Sequence, residues 1–212
     1  MAGFLAASAL AAGPTTTCAS EAAQTDKELN QTYQQVVQML PVPAREQLRK
    51  SERAWLTFTQ LNNAAFQATA SRLGLSPAEV ERIEVDHVRL RVRELKEMLG
   101  RRDAGAAAVV RSQSEDGRLN IVYQQCIAAL TAAEVTKLRE AQRAWISFRD
   151  ASRPLGADVC WRITSDRTDQ LNNFYIASSG SSVQASPPTT AAPQSEGRTD
   201  PSVPDPFESA QP

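Results

Sequence analysis

The sequence predicts an all-α protein made of two tandem antiparallel three-helix units and a disordered C-terminal tail. The first observation behind this fold class is an internal repeat, because one pattern of residues occurs twice at a constant spacing of 90 residues. The second is that apolar residues recur every three or four positions in both copies, which is the spacing of one helix face. The third is that no segment alternates apolar and polar residues, so no β-strand is expected. The repeated pairs include Asp26/Asp116, Leu29/Leu119, Asn30/Asn120, Tyr33/Tyr123, Leu48/Leu138, Arg53/Arg143, Trp55/Trp145 and Phe58/Phe148.

The first unit, residues 18–100, contains three predicted helices that are separated by proline and glycine. Its first helix ends at Pro41–Pro43, where proline also suits the first turn of the next helix. The second helix is predicted to reach about Leu73, because Gly74 is a typical helix-ending residue. The segment Ser76–Glu79 has the form of a capping box, so it is expected to open the third helix.

The second unit, residues 105–177, follows the same plan. A helix is predicted over 110–130, and the capping box Thr131–Glu134 opens the next one. Pro154–Gly156 marks a turn, after which a third helix spans roughly 158–177. The short connections favour antiparallel neighbours in an up-down-up order.

The two ends of the chain differ in composition from the repeats. Residues 1–17 contain the apolar run Phe4–Ala12, which is similar to a truncated secretory signal but has no Lys or Arg before it. This segment predicts a periplasmic or secreted protein. Residues 178–212 are rich in Ser, Pro, Thr and Ala and bury too little apolar surface to fold, so they are predicted to be disordered. We do not expect lipidation of Cys18, because the preceding residues match a lipoprotein cleavage site poorly.

Composition and motifs exclude several classes of function. The net charge is −1 and no strong basic patch is present, so no nucleic-acid partner is expected. No apolar run is long enough for a transmembrane segment. The single histidine, His87, follows Glu84 at a metal-ligand spacing, but a carboxylate-bridged site needs a second such pair, and the second repeat has Ile163 there. No metal, cofactor or enzymatic activity is therefore predicted.

The motifs of the second repeat resemble those of a known family. Asp116, Leu119, Asn120 and Tyr123 are followed by Gln142-Arg-Ala-Trp-Ile-x-Phe-Arg-Asp150, and then by Cys160, Thr164, Arg167 and Leu171. This pattern is similar to the LprI-type lysozyme-inhibitor N-terminal domains, which are small, helical and exported bacterial domains. The first repeat matches less closely, and its third helix aligns at an offset of 76, with Arg91 opposite Arg167. The resemblance covers nearly all of the predicted folded chain.

We interpret the repeated motif residues as architecture. Tyr33, Trp55, Tyr123 and Trp145 lie on apolar helix faces and are predicted to be core residues. The acids Asp26 and Asp116 are expected near helix starts, where a carboxylate is favourable. For Arg53 and Arg143 the expectation is a facing carboxylate, and for Asn30 and Asn120 a partner beside the helix seam.

The resemblance also bears on the three cysteines. Relatives carry a Cys near the start of the first helix and another after the Trp motif, so Cys18 and Cys160 stand close to family positions, one in each copy. A bridge between Cys18 and Cys160 is our hypothesis. Cys126 lies about ten residues into its helix, or ~15 Å along the axis, which is too far from Cys160 for a bridge. It is predicted to be a small core residue.

The function that the resemblance implies is binding of a protein, with lysozyme as the named candidate, through occlusion of its cleft by a loop or helix end. Two stretches differ between the copies and are the candidate contact elements, Asn62–Ser76 and Arg153–Asp158. The alternative is a structural or scaffolding protein of the bacterial envelope that inhibits nothing. The sequence itself does not select between them.

Overall fold

The structure is a computed structural model that describes residues 14–99 and 107–181. Within these ranges the chain forms six α-helices and no strand, which confirms the all-α fold with three helices in each repeat. The helices are α1 (Pro14–Met39), α2 (Val42–Leu73), α3 (Pro77–Leu99), α4 (Ala107–Ala129), α5 (Ala132–Ser152) and α6 (Ala157–Ser181), with a 3-10 turn at Arg153–Leu155.

The predicted leader and tail fall largely outside the described residues. Helix α1 begins at Pro14, and the earlier part of the predicted leader is not described. At the other end, α6 continues to Ser181, into the first residues of the predicted tail, and the rest of that tail is not described. Across 14–99 and 107–181, no helix is both long enough and apolar enough to cross a bilayer.

The helices end where local chemistry predicts. Gly74 has a φ of 68°, a left-handed conformation that favours glycine, and the Leu75 amide behind it donates to the Ala70 carbonyl at 3.0 Å. Both predicted capping boxes are present. The Glu134 carboxylate accepts from the Thr131 amide at 2.8 Å, and that of Glu79 accepts from the Ser76 amide at 2.7 Å.

Within each repeat the first and third helices run parallel to each other. Arg89 of α3 pairs with Glu21 of α1, and two turns further along both helices Lys96 pairs with Glu28. In the second repeat the Cys126 thiol of α4 donates to the Leu171 carbonyl of α6. This parallel arrangement is the one expected of an up-down-up unit.

The middle helices of the two repeats pack against each other. Helices α2 and α5 run antiparallel along nearly their whole length. At one end the Ser51 and Ser152 hydroxyls lie 2.7 Å apart, and at the other the Arg72 guanidinium donates to Glu134 at 2.8 Å. The repeats are therefore joined through their centres, which the repeat pattern alone did not predict.

The main hydrophobic core contains residues from both copies. Equivalent rings meet at its centre, where Phe58 and Phe148 stack with their centroids 6.2 Å apart and their planes 5° from parallel. The core also contains Trp55, Leu119, Tyr123, Cys126, Leu138, Trp145, Val159, Ile163, Leu171 and Phe174. A smaller cluster of Val36, Leu48 and Leu95 belongs to the first repeat.

Because the core is shared, we predict that a core truncation in one copy destabilises both. The change Phe148→Ala should lower the free energy of unfolding by about 3–5 kcal/mol, as is usual for a buried phenylalanine. Urea unfolding followed by circular dichroism and by tryptophan fluorescence should show one coincident transition. As a control, Ile121→Ala at an exposed position should change the stability by less than about 0.5 kcal/mol. A separate early transition that removes part of the helix signal would contradict the shared core.

Candidate functional site

An apolar groove lies beneath the end of α2 in the first repeat. It has a volume of about 500 Å³ and is formed by α2, α3 and the second half of α6. This volume is in the range of small-molecule sites, which are mostly apolar with a few polar groups. The apolar lining residues are Phe66, Leu73, Leu75, Ile83, Leu90, Phe174 and Ala177.

The groove depends on an extension of α2 that the second repeat lacks. Asn62 of α2 is equivalent to Ser152, at which α5 ends because Pro154 and Gly156 follow closely. In the first repeat the helix continues for three more turns to Leu73. The far end of this extension is held by the ion pair between Arg72 and Glu134.

The two candidate contact elements therefore lie far apart. The stretch 62–76 extends along the part of α2 that leads to Arg72, whereas 153–158 follows Ser152, beside Ser51. Ser51 and Arg72 are separated by 21 residues on one helix, which corresponds to about 30 Å. The two elements are thus at opposite ends of the α2/α5 pair and do not form one surface.

His87 lies at the inner side of the groove and is buried. Its Nδ1 donates to the Asn63 side-chain oxygen at 3.2 Å, and the Asn62 amide nitrogen is 3.4 Å from its Nε2. The ring also contacts Phe66, with 5.6 Å between centroids. Burial, helped by the Arg167 cation, lowers the pKa of His87 to about 4, so the imidazole is neutral near pH 7. Glu84, which precedes it at metal-ligand spacing, bonds instead to Gln67.

A layer of two buried arginines lies beneath the groove, one from each repeat. Arg91, only 1% exposed, has two acidic partners. Its guanidinium donates to Glu52 on α2 at 2.8 Å and to Glu94 one turn along α3 at 2.8 Å. A further bond reaches the Ser51 hydroxyl at 3.3 Å. The first-repeat arginine is thus a buried cation with its charge compensated.

Arg167, the equivalent of Arg91, is equally buried but has only neutral hydrogen-bond partners. Its guanidinium donates to Gln142 at 3.0 Å, to Gln170 at 3.2 Å and to Asn62 of the other repeat at 2.7 Å. Burial lowers the pKa of Arg167 to about 10, which leaves it charged at neutral pH. Position by position, Gln142 replaces Glu52 and Gln170 replaces Glu94.

Each arginine lies over the phenylalanine of the opposite repeat. The Arg91 guanidinium carbon is 5.1 Å from the centre of the Phe148 ring, and that of Arg167 is 5.1 Å from the centre of Phe58. These are cation–π distances, and such contacts strengthen when they are desolvated. Since the two rings also stack on each other, the two arginines and the two phenylalanines form one continuous stack across the repeats.

A second, much smaller cavity adjoins the arginine layer. It measures about 20 Å³, which is room for one water-sized group. His87, Leu90 and Gln170 line both this cavity and the groove. Two buried polar atoms of its lining residues, Arg167 Nη2 and Asp166 Oδ2, have no hydrogen-bond partner in the described residues. Buried polar groups without partners are uncommon and require an explanation.

The motif residues that occur in both repeats divide between core and surface. Trp55, Trp145 and Tyr123 are buried in the shared core, while Tyr33 is half-buried. The core aromatics meet the polar layer, where Arg91 lies 6.0 Å from Trp55.

The polar motif residues lie mainly at the surface. Asp26, Asn30, Asn120, Arg53 and Arg143 are all exposed. The Asn30 amide donates to the backbone carbonyl of Asp26 at 3.0 Å.

Asp116 is half-buried and accepts from Arg149 at 3.2 Å. Burial raises the pKa of the Asp116 carboxyl, although Arg149 acts against that shift. This aspartate therefore contacts an arginine that sequence analysis did not single out.

Two of the cysteines are described with their side chains. Cys126 is fully buried in the shared core, as predicted. Cys160 is also buried, with its sulfur 3.8 Å from the Arg149 carbonyl oxygen, and burial raises the pKa of both thiols. The side chain of Cys18 lies outside the described residues. The Cys18–Cys160 bridge therefore stays a prediction.

The arginine layer is the feature that the sequence interpretation missed. Arg91 and Arg167 were recognised as equivalent, but no role followed from that equivalence. The available signal was a charged residue on an otherwise apolar helix face, next to Val92 and Leu95 in one copy and Leu171 in the other. What could not be predicted was that each side chain would reach the ring of the opposite repeat.

Together these features define a duplicated helical protein with an apolar groove between the α2 extension of the first copy and α6 of the second, and with a buried charged layer between the copies. Throughout the described residues, no cluster of His, Cys, Asp and Glu side chains is arranged to hold a metal ion. The chain belongs to the LprI lysozyme-inhibitor family, whose model matches residues 6–95 and 101–171, one segment in each repeat.

A solved structure shares this fold. It is the crystal structure of an uncharacterized protein from Burkholderia thailandensis, at 19% sequence identity and a TM-score of 0.59. The match covers 82% of this chain and 98% of the other one. At this level of identity the likeness concerns the fold alone. No curated protein matches the sequence.

The lowered pKa of His87 predicts a pH-dependent stability. Its pKa is about 4 in the folded protein against an ordinary value of 6.5, so the unfolded chain binds more protons between these pH values. The contribution of His87 is fully present above pH 6.5 and is lost as the pH falls to about 4. Its size is on the order of 3 kcal/mol.

The measurement is urea unfolding at several pH values, with the native chain compared with His87→Gln. Glu94 acts in the opposite direction, because burial raises the pKa of its carboxyl to about 7, but it is present in both proteins. The difference in unfolding free energy between the native chain and His87→Gln therefore reports the contribution of His87, the only histidine of the chain. A difference that stays constant from pH 7.5 to 4 would show that His87 titrates normally.

The hypothesis of a bridge between the repeats predicts that Cys18 and Cys160 are found in one cross-linked peptide. Mass mapping of the protein under non-reducing conditions measures this directly, with the reduced sample as control. Cys126 should be recovered as a free thiol. Recovery of Cys160 as a free thiol as well would refute the bridge.

Proposed function

We propose that this chain is an exported protein-binding protein whose partner is a lysozyme-type muramidase. The observation that carries the proposal is the family match over both repeats, since the family is named for lysozyme inhibition. The apolar segment Phe4–Ala12 supports export, as its composition is that of a secretory signal core.

The contact element we propose is the extension of α2 together with its C-terminal turn. This element occurs in one repeat only, so it is free to serve a role that the common architecture does not require. Its outer side is exposed at Gln67, Ala68 and Ser71, and the exposed turn at Gly74 forms its tip. An exposed helix end of this kind suits steric occlusion of an enzyme cleft.

Shape is expected to contribute more to binding than long-range electrostatics. The chain has a net charge of −1, with 23 basic and 24 acidic side chains. Many exposed arginines of the described residues are already paired, for example Arg89 with Asp86 and Glu21. A nearly neutral surface provides little steering of a charged partner, so the association rate should depend only weakly on salt.

The alternative is a structural or scaffolding protein of the envelope that inhibits nothing. The observation that favours it is the burial of Trp55, Trp145 and Tyr123. These motif aromatics build the core, so the family motif itself supplies no contact surface. Under this alternative the protein binds an envelope component and leaves lysis by lysozyme unchanged.

A turbidity assay separates the two functions. Purified protein is titrated into lysozyme acting on bacterial cells, and we expect lysis to slow in proportion to the inhibitor added. Unchanged lysis at a large molar excess would remove the inhibitor function and leave the scaffolding one.

A pair of matched variants tests the contact element. Ala68→Arg places a bulky charge on the extension, and the inhibition constant should rise at least about tenfold if this surface is buried in the complex. Ala128→Arg introduces the same side chain at an exposed alanine of α4 and should leave inhibition unchanged. Equal effects of the two variants, or no effect of either, would exclude the extension as the contact element.

A further inference from the structure

We propose that the groove beneath α2 binds a single-chain fatty acid, with the alkyl chain along the apolar lining and the carboxylate on Arg167. This site goes beyond the protein-binding function and does not depend on it. The proposal follows from the unequal partners of two equivalent arginines, the position of Gln170, and the sizes of the two adjoining spaces.

The two equivalent arginines differ in the charge of their partners. Arg91 and Arg167 occupy equivalent positions and are equally buried, but Arg91 has the carboxylates of Glu52 and Glu94 where Arg167 has amide oxygens. Glu94 and Asp166 line the same small cavity as Arg167, but Glu94 is bonded to Arg91 and Asp166 to Arg93, so neither carboxylate pairs with Arg167. A buried cation without a bonded counter-charge is costly, because its hydration is lost and no directly paired charge replaces it. A ligand carboxylate would supply the missing charge.

One hydrogen-bond donor of the Arg167 guanidinium is unused. Arg167 Nη2 is buried and has no hydrogen-bond partner among the described residues, although the rest of the guanidinium is bonded. A carboxylate oxygen is the acceptor that guanidinium groups bind most strongly. The unused donor belongs to a residue that lines the small inner cavity.

Gln170 is shared by this cavity and the groove. Its side chain lines both spaces, and its Oε1 accepts from Arg167 Nη1 at 3.2 Å. The residue is half-buried, so its amide is close enough to the surface to rotate toward solvent. A carboxylate that enters from the groove would take the place of this neutral acceptor on the arginine.

The sizes of the two spaces indicate where each end of the ligand binds. The inner cavity, about 20 Å³, accommodates one carboxylate oxygen but no alkyl chain. The groove, about 500 Å³, is large enough for a chain, and the apolar part of its lining consists of leucine, isoleucine, phenylalanine and alanine side chains. An amphipathic acid with one unbranched tail matches this division.

The arginines on the groove rim are poorer receivers for the head group. Arg89 is paired with Asp86 and Glu21, and Arg93 is paired with Asp166. Their charges are already compensated and they are exposed, so an added carboxylate would gain less there. The inner position on Arg167 is therefore the one we assign.

The test uses the full chain and the fluorescent fatty acid cis-parinaric acid. Its fluorescence should rise on binding, and dodecanoic acid should displace it. The matched competitor is 1-dodecanol, which has the same chain without the charge. We expect dodecanoic acid to bind at least about tenfold more tightly than the alcohol, as charge-assisted hydrogen bonds usually provide.

Two variants locate the head group. Gln170→Glu places a carboxylate beside Arg167, as Glu94 stands beside Arg91, and should reduce binding of dodecanoic acid at least about tenfold while binding of the alcohol is retained. The rim control Arg89→Gln should leave the ratio of acid to alcohol affinity unchanged.

Several results would overturn the proposal. Absence of cis-parinaric acid binding would exclude the site. Equal affinities for acid and alcohol would show apolar binding only. An unchanged acid affinity in Gln170→Glu, or a ratio that falls in Arg89→Gln, would exclude Arg167 as the receiver. None of these results bears on lysozyme inhibition, so the two proposals fail independently.

Discussion

The structure depends on the crossing of two arginines between the repeats. Arg91 and Arg167 each leave their own third helix and cover the phenylalanine of the other copy, while the two rings stack on each other. This arrangement places two cations at the centre of a helical protein, where burial alone would be unfavourable. It is acceptable because every helix around it contributes: α2 and α5 supply the rings, and their polar side chains hold the guanidinium groups. The antiparallel pairing of α2 with α5 follows from the same contacts.

The repeats are alike in their aromatic core and unlike in their polar partners. Replacement of Glu52 and Glu94 by Gln142 and Gln170 leaves hydrogen bonding largely intact but removes both negative charges from one side of the layer. The first copy also has the longer middle helix, which forms the groove and reaches Glu134 through Arg72. Both departures from symmetry converge on the same region, since Gln170 lines the groove and contacts Arg167. A region in which duplicated copies have diverged in charge and in shape is where we expect a function beyond folding.

The sequence was sufficient for several helix ends, but not for the packing between the repeats. It was also wrong about the motif acids, because Asp26 and Asp116, expected near helix starts, lie 12 and 9 residues inside α1 and α4. The end of α2 at Gly74 and the capping boxes at Ser76 and Thr131 were predicted because each depends on residues within a few positions of each other. The pairing of α2 with α5 joins residues about 100 positions apart, such as Ser51 and Ser152, and helical periodicity shows only that a face is apolar. For the candidate site, the stretch 62–76 was recognised because it has no counterpart in the second copy. The groove, its lining from α6, and the neutral hydrogen-bond partners of Arg167 required three-dimensional placement of side chains from four helices.

The pseudo-symmetric contact of α2 with α5 has a consequence for any chain that would contain a single repeat. The middle helix of one repeat carries a tryptophan and a phenylalanine on one face, and the arginine of the other repeat lies over that phenylalanine. Here the other repeat covers this face. A chain with one copy would leave it open to water, unless a second molecule supplied the same helix around a true two-fold axis. This chain has the form that results when two such subunits are joined end to end. Because the two arginine sites then belong to one chain they need not be identical, and here only one of them has acidic partners.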